Sequence, residues 1–156
     1  MTTVAYRDGT LAADTLISYG SFTNGNVNKI HVVDTPTGRV MCVLSGVCWA
    51  VQPMIEWLAE GASQETIPHN LLASCSDFSC LVVNDAGLLF EFNNGYFIEC
   101  GVEYHAIGSG AQFALGAMAA GVSAPNAVSA AMKHDKASGG NVTVCSVSTL
   151  SLQEAA

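Results

Sequence analysis

Positive charge is scarce in this chain: five Lys plus Arg stand against thirteen Asp plus Glu in 156 residues, a formal net charge of −8. Nonspecific binding to nucleic acid or to an anionic membrane needs clusters of Lys and Arg. So few basic residues cannot build one, so neither partner is expected. Long apolar runs are lacking too. No stretch approaches the roughly 18–20 residues of a membrane span, and the start has neither the basic segment nor the continuous apolar core of a secretory signal. The six cysteines (Cys42, Cys48, Cys75, Cys80, Cys100 and Cys145) form no C-x-x-C pair. Most lie inside apolar segments, which reads as small buried hydrophobes in a reducing, cytoplasmic setting. His31, His69, His105 and His134 show no ligand-like spacing among themselves or with cysteine, so no metal site is expected.

What the chain has in excess is apolar surface. Half of its residues are hydrophobic and only 12% are charged. The length suits one domain, residues 1–156, with a sizeable core. The remaining apolar surface must be hidden in a two-sided core or in contacts between copies.

Period-2 segments and turn chemistry place strands early. Thr3 to Tyr6 and Leu11 to Ala13 flank Asp8-Gly9, a favoured hairpin dipeptide. GSFTNGNVNK reads as a Gly/Asn-rich loop. IHVV and RVMCVLSG flank the turn DTPTG as a second hairpin. Val51, Ile55 and Leu58 recur at helical spacing between Val47 and Glu60, with Gly61 as the stop. After a polar connector and a short helical turn at LLASCSD, the runs SCLVV, LLFEF and YFIECG form a meander. EYHAIGSG is a short strand ending in a glycine loop. Ser109 is placed to N-cap an Ala-rich helix to about Ala120, and Ser123 a second one to about His134. DKASGG is a loop and NVTVCSV a last strand. Hairpins before helices predict an α+β fold with antiparallel sheets. The nearly unbroken apolar strands predict sheets covered on both faces.

The opening MTTVAYRDGTLAAD raises a chemical possibility. Aminopeptidase removal of Met1, general before a small residue, leaves Thr2 with a free α-amine beside its own hydroxyl. That pairing is a nucleophile design in which the terminal amine serves as base for the hydroxyl.

From here the sequence resembles the N-terminal nucleophile (Ntn) hydrolases of the proteasome β-subunit and HslV family. TTVAYRDGTLAAD looks like the family's opening strand pair, which ends in a catalytic Asp. GNVNKI looks like its Gly-Asn-x-x-Lys segment, LSG like its oxyanion-hole turn, IGSG like its glycine-serine loop, and DKASGG like its Asp-x-x-Ser-Gly-Gly element. The resemblance implies a single domain built as a four-layer α-β-β-α sandwich of two antiparallel sheets flanked by helices. It implies Thr2 as nucleophile, Lys29 and Asp14 as a charged pair beside it, and the Gly46 backbone N–H as oxyanion donor. Ser109, Asp135 and Ser138 would hold the α-amine and a water. Read singly, each has a plainer use: Asp14 as a turn or cap, Lys29 on the surface, Gly46 as a loop glycine, Ser109 as a cap, Asp135 and Ser138 as turn formers.

Reference pKa values favour the amine over lysine as base. At neutral pH an α-amine near ~7.8 is roughly a tenth neutral, while a lysine near ~10.4 is almost wholly charged. Lys29 would then supply positive charge, oriented by Asp14. The implied activity is a threonine-type endopeptidase that forms an acyl-ester on Thr2, needs no cofactor, works within a homo-oligomeric ring, and is served in some members by an ATP-dependent unfoldase. An Ntn amidase acting on a small amide, and an inert structural homologue that retains Met1, are the alternatives. Family members commonly run longer, with a second long helix where this chain has only IPHNLLASCSD. Met1 alone ahead of Thr2 resembles HslV more than eukaryotic β subunits. Residues from Tyr19 to Phe22, with Val47 and Trp49, would shape the substrate site.

Overall fold

A computed structural model describes residues 1–19 and 22–152. The fold is α+β, with antiparallel sheets and short helices. The described residues form two compact units, one from residues 1–19, 22–30 and 102–146, the other from 31–101 and 147–152.

The first unit is built on four antiparallel strands: β1 (Thr3–Arg7), β2 (Thr10–Asp14), β10 (Tyr104–Gly108) and β11 (Val142–Ser146), in the order β10-β1-β2-β11. Asp8 and Gly9 both take positive φ, 51° and 71°, as the two-residue turn of a tightly twisted hairpin requires. Val4 pairs with Ala13, so the register sets Thr3 opposite Asp14. Helices α3 (Ala111–Ala119) and α4 (Ala124–Met132) pack on this sheet. Their contact is made of small side chains: Ala5, Ala12 and Ala106 from the strands meet Ala114, Met118, Ala124, Ala127, Val128 and Ala131. Alanines on both sides let the helices lie close to the strands. Pro125 falls in the first turn of α4, where its missing N–H has no intrahelical partner to lose.

GSFTNGNVNK, expected as a loop, instead contributes to a two-stranded ribbon of β3 (Leu16–Tyr19) and β4 (Phe22–Asn26). Every residue of β4 is exposed. A ribbon with no buried face needs no apolar alternation, so the period that reveals strands was missing.

The second unit carries β5 (Ile30–Thr35), β6 (Gly38–Gly46), β7 (Phe78–Asn84), β8 (Leu89–Asn93) and β9 (Tyr96–Glu99) as a consecutive meander. Helix α1 (Val51–Ala59) sets Met54, Trp57 and Leu58 against Val40, Cys42, Leu44, Phe78, Cys80 and Phe92. The buried stripe is thus rotated from the one expected, since Val51 and Ile55 lie at its margin. Gly61 ends the helix with φ 102°, and the Ala62 N–H bonds back to the Trp57 carbonyl. Short helices α2 (His69–Ala73) and α5 (Val147–Leu152) complete this unit; nothing in the sequence reading anticipated α5. Met41, Val43, Leu81 and Val83 on the alternate positions of β6 and β7 are buried as well, as the unbroken apolar strands predicted. Of the six cysteines only Cys42 and Cys80 are fully buried; Cys48 is exposed and the others are intermediate. Among the described residues, no helix is long and apolar enough to cross a membrane.

Candidate active site

The first unit holds six of the seven expected residues, in or just beyond its strands and helices, with Lys29 in the segment after β4. Thr2 immediately precedes β1 and is 2% exposed. Asp14 ends β2 and is fully buried. The Thr2 hydroxyl donates to Asp14 Oδ1. Lys29 Nζ lies 2.6 Å from Thr2 Oγ and 3.0 Å from Asp14 Oδ1. The three side chains therefore form a closed triangle of hydroxyl, ammonium and carboxylate.

A buried carboxylate persists only when paired and well supplied with donors. Asp14 is both. Oδ1 also accepts from the Thr3 N–H at 2.9 Å, while Oδ2 accepts from Leu16 N–H at 3.2 Å and Gly139 N–H at 3.0 Å. Asp14 thus pins the start of β1, its own following residues and the turn after Ser138 to one point. That turn is held further by the backbone: Thr15 N–H reaches the carbonyls of Gly139 and Asn141, and Leu16 N–H that of Gly139. The Thr15 hydroxyl donates to Asn26 Oδ1 at 2.9 Å and accepts from Asn141 N–H at 2.8 Å.

Ser109, Asp135 and Ser138 form a second cluster. Ser109 follows β10, and Asp135 and Ser138 follow α4. Both serine hydroxyls donate to Asp135 Oδ2, each at 2.6 Å, and Ala137 N–H reaches Oδ1 at 3.1 Å. Ser109 Oγ is also 3.4 Å from the Thr2 carbonyl oxygen. Ser109 was expected to cap α3 as well, but the residue in that place is Gly110, and α3 has no side-chain cap.

Burial pushes the Asp135 carboxyl up. The two serine hydroxyls, the Ala137 N–H and the chain's N-terminal charge together outweigh it and hold the carboxyl below its ordinary 3.8. A carboxyl depressed on folding stabilises the fold above its ordinary value and loses that contribution as pH falls through the lowered one. Asp135→Asn is therefore expected to lower Tm at neutral pH, and the gap from the parent should close as the pH falls below the ordinary 3.8 and through the lowered value. Thermal melts across that range check this; a gap constant with pH would contradict it.

Gly46, the seventh residue, closes β6 in the second unit at φ 120°. A Cβ there would overlap the Asp77 carbonyl oxygen and come 2.8 Å from Phe78 Cα. Glycine is thus required by both conformation and space. Tyr19 and Phe22, 80% and 73% exposed, face each other at the end of the β3–β4 ribbon. Gly20 and Ser21 between them lie outside the described residues. Val47 and Trp49 follow β6, and Trp49 is exposed.

Two buried threonines escaped the sequence reading, Thr3 and Thr15. Both look like ordinary strand threonines. Their adjacency to Thr2 and Asp14 was the only available signal.

No protein-family model matches the sequence, and no curated protein does. Solved structures do. Thiobacillus denitrificans BPH is similar at 22% identity and a TM-score of 0.67, over 94% of this chain and 97% of that one. The same protein in complex with epoxomicin gives 22% and 0.67, over 94% and 98%. Eukaryotic HslV from Trypanosoma brucei gives 20% and 0.64, over 92% and 97%. The likeness spans nearly all of each chain, so this chain is not substantially shorter than these structures. The chain has the α+β Ntn-hydrolase fold that HslV displays.

Proposed function

We propose that this protein is a threonine-type endopeptidase of the proteasome and HslV kind, with Thr2 as its N-terminal nucleophile once Met1 is removed. The observation that carries the reading is the buried Thr2 hydroxyl held between Lys29 at 2.6 Å and the Asp14 carboxylate. An ordinary strand threonine has no use for a largely buried ion pair around its hydroxyl, and such pairs rarely stabilise a fold by themselves.

In this reading Thr2 Oγ attacks the carbonyl carbon of the scissile peptide as the Oγ–H proton passes to the neutral α-amine of the same residue. The Lys29 charge stabilises the developing alkoxide, and Asp14 holds Lys29 in place. The backbone N–H of Gly46 keeps the oxyanion role implied by the resemblance. The protonated amine then gives its proton to the departing peptide nitrogen, leaving an acyl-ester on Thr2. Water, deprotonated by the amine, cleaves that ester and restores the hydroxyl. Ser109 and Ser138, with their protons committed to Asp135, are left as acceptors for the amine's N–H bonds and for the attacking water. No cofactor enters these steps.

Assembly into a homo-oligomeric ring suits the high apolar content. Service by an ATP-dependent unfoldase and a cytoplasmic site of action belong to the same proposal. The test is hydrolysis of fluorogenic peptides compared with small acyl amides by the chain lacking Met1. Cleavage of peptides, blocked by epoxomicin, supports the endopeptidase. Turnover of small amides alone points to an Ntn amidase, and turnover of neither to an inert homologue.

A further inference from the structure

Thr3 is fully buried, and its Oγ lies 2.7 Å from Ser138 Oγ. The polarity of this bond follows from counting protons. Ser138 has one hydroxyl proton and donates it to Asp135 Oδ2 at 2.6 Å. It has none for Thr3, so Thr3 must donate to Ser138. The protons then run one way, from Thr3 to Ser138 to Asp135, with Ser109 donating to the same Asp135 oxygen.

Gly110 supplies an independent observation. It stands at the N-cap of α3 with φ −91° and ψ 7°. Many residues adopt that conformation, and Ser, Thr, Asp or Asn would cap the helix better. Yet a Cβ at position 110 would overlap Thr3 Oγ and come 3.1 Å from Thr3 Cβ and 3.2 Å from Ala131 Cβ. The Thr3 side chain is therefore what excludes a side chain at 110. The two residues directly follow Thr2 and Ser109, and a helix cap is forgone where they meet.

We propose that Thr3 is a positioning residue, and that Gly110 is glycine to make room for its hydroxyl. The inference rests on the reading of Thr2 as nucleophile. By donating to Ser138, Thr3 fixes that serine as an oxygen with its proton committed to Asp135, able only to accept from any further partner. An α-amine next to such an oxygen can give it an N–H and keep its lone pair for the Thr2 proton. Without Thr3, Ser138 is free to rotate and donate to the amine lone pair. That competes with the Thr2 proton and favours the neutral amine.

The test uses the mature chain and the variants Thr3→Val, Thr3→Ser, Thr3→Ala, Gly110→Ala and the Thr3→Ala/Gly110→Ala double. Thr3→Val and Gly110→Ala should each lower kcat by roughly 3- to 10-fold, the worth of one hydrogen bond. KM should change little, and the acid limb of the kcat/KM profile should move to lower pH. Thr3→Ser should keep the parent profile. Adding Gly110→Ala to Thr3→Ala should cost less than Gly110→Ala does in the parent, because the oxygen it would overlap is gone and only the tight contacts to the Cβ atoms of residues 3 and 131 remain. Additive losses, or a Thr3→Val enzyme with lowered Tm but unchanged kcat and acid limb, would overturn the proposal. Active parent protein with those results removes only the role of Thr3. A parent that begins at Thr2 yet neither cleaves peptide nor takes an epoxomicin adduct removes the nucleophile reading, and the role of Thr3 with it.

Discussion

Thr2→Ala is expected to lower kcat at least about 10³-fold, as loss of a nucleophile does, while leaving the protein folded. The second half of that expectation comes from the geometry. Removing the hydroxyl takes away one donor from Asp14 and one acceptor from Lys29. The Lys29–Asp14 pair at 3.0 Å remains, as do the three backbone N–H groups on the carboxylate. No charge is stranded, so the melting temperature should shift only slightly. Thr2→Ser keeps both amine and hydroxyl and should retain measurable turnover. Steady-state kinetics with a thermal melt on each variant separate the two effects. Activity of Thr2→Ala within tenfold of the parent would place the nucleophile elsewhere.

Lys29→Met is expected to hurt both activity and stability. The ammonium 2.6 Å from Thr2 Oγ is a fixed positive charge beside a developing alkoxide, and losing such a preorganised group costs about 10²–10³ in kcat. The same substitution strands the fully buried Asp14 without its cation, a change typically worth about 3–5 kcal/mol. The backbone donors to Asp14 should hold the loss toward the lower end. Combining Lys29→Met with Asp14→Asn removes the stranded charge. Stability should then recover in part while activity does not, a non-additivity expected of residues in one network. Denaturant unfolding and kcat at neutral pH across the four proteins measure it. A Lys29→Met enzyme running near the parent rate would show that Lys29 has no electrostatic role.

The elements that could be read from the sequence are those governed by local rules. Asp8-Gly9 must turn, so β1 and β2 pair, and their register brings Asp14 opposite Thr3. The loop after α4 carries Asp135 and Ser138 with the spacing that lets Ser138 reach back to Asp135. Readings failed where a distant partner decided the outcome. Ser109 looked like a helix cap because capping is local, but Gly110 stands at the cap of α3 and the Ser109 hydroxyl lies on Asp135, 26 positions away. Thr3 looked like any β-branched strand residue until Ser138 was found 135 positions on. The β3–β4 ribbon left no trace because none of its second strand is buried. Gly110 could only be understood from the space around it.

The most direct test of the account is an intact-mass and N-terminal sequencing measurement on the purified protein, before and after treatment with epoxomicin, with the modified residue located by fragmentation. The account predicts a chain that begins at Thr2 and gains one inhibitor mass, carried on Thr2. A chain that keeps Met1, or one that begins at Thr2 and is unmodified or modified elsewhere, would contradict it.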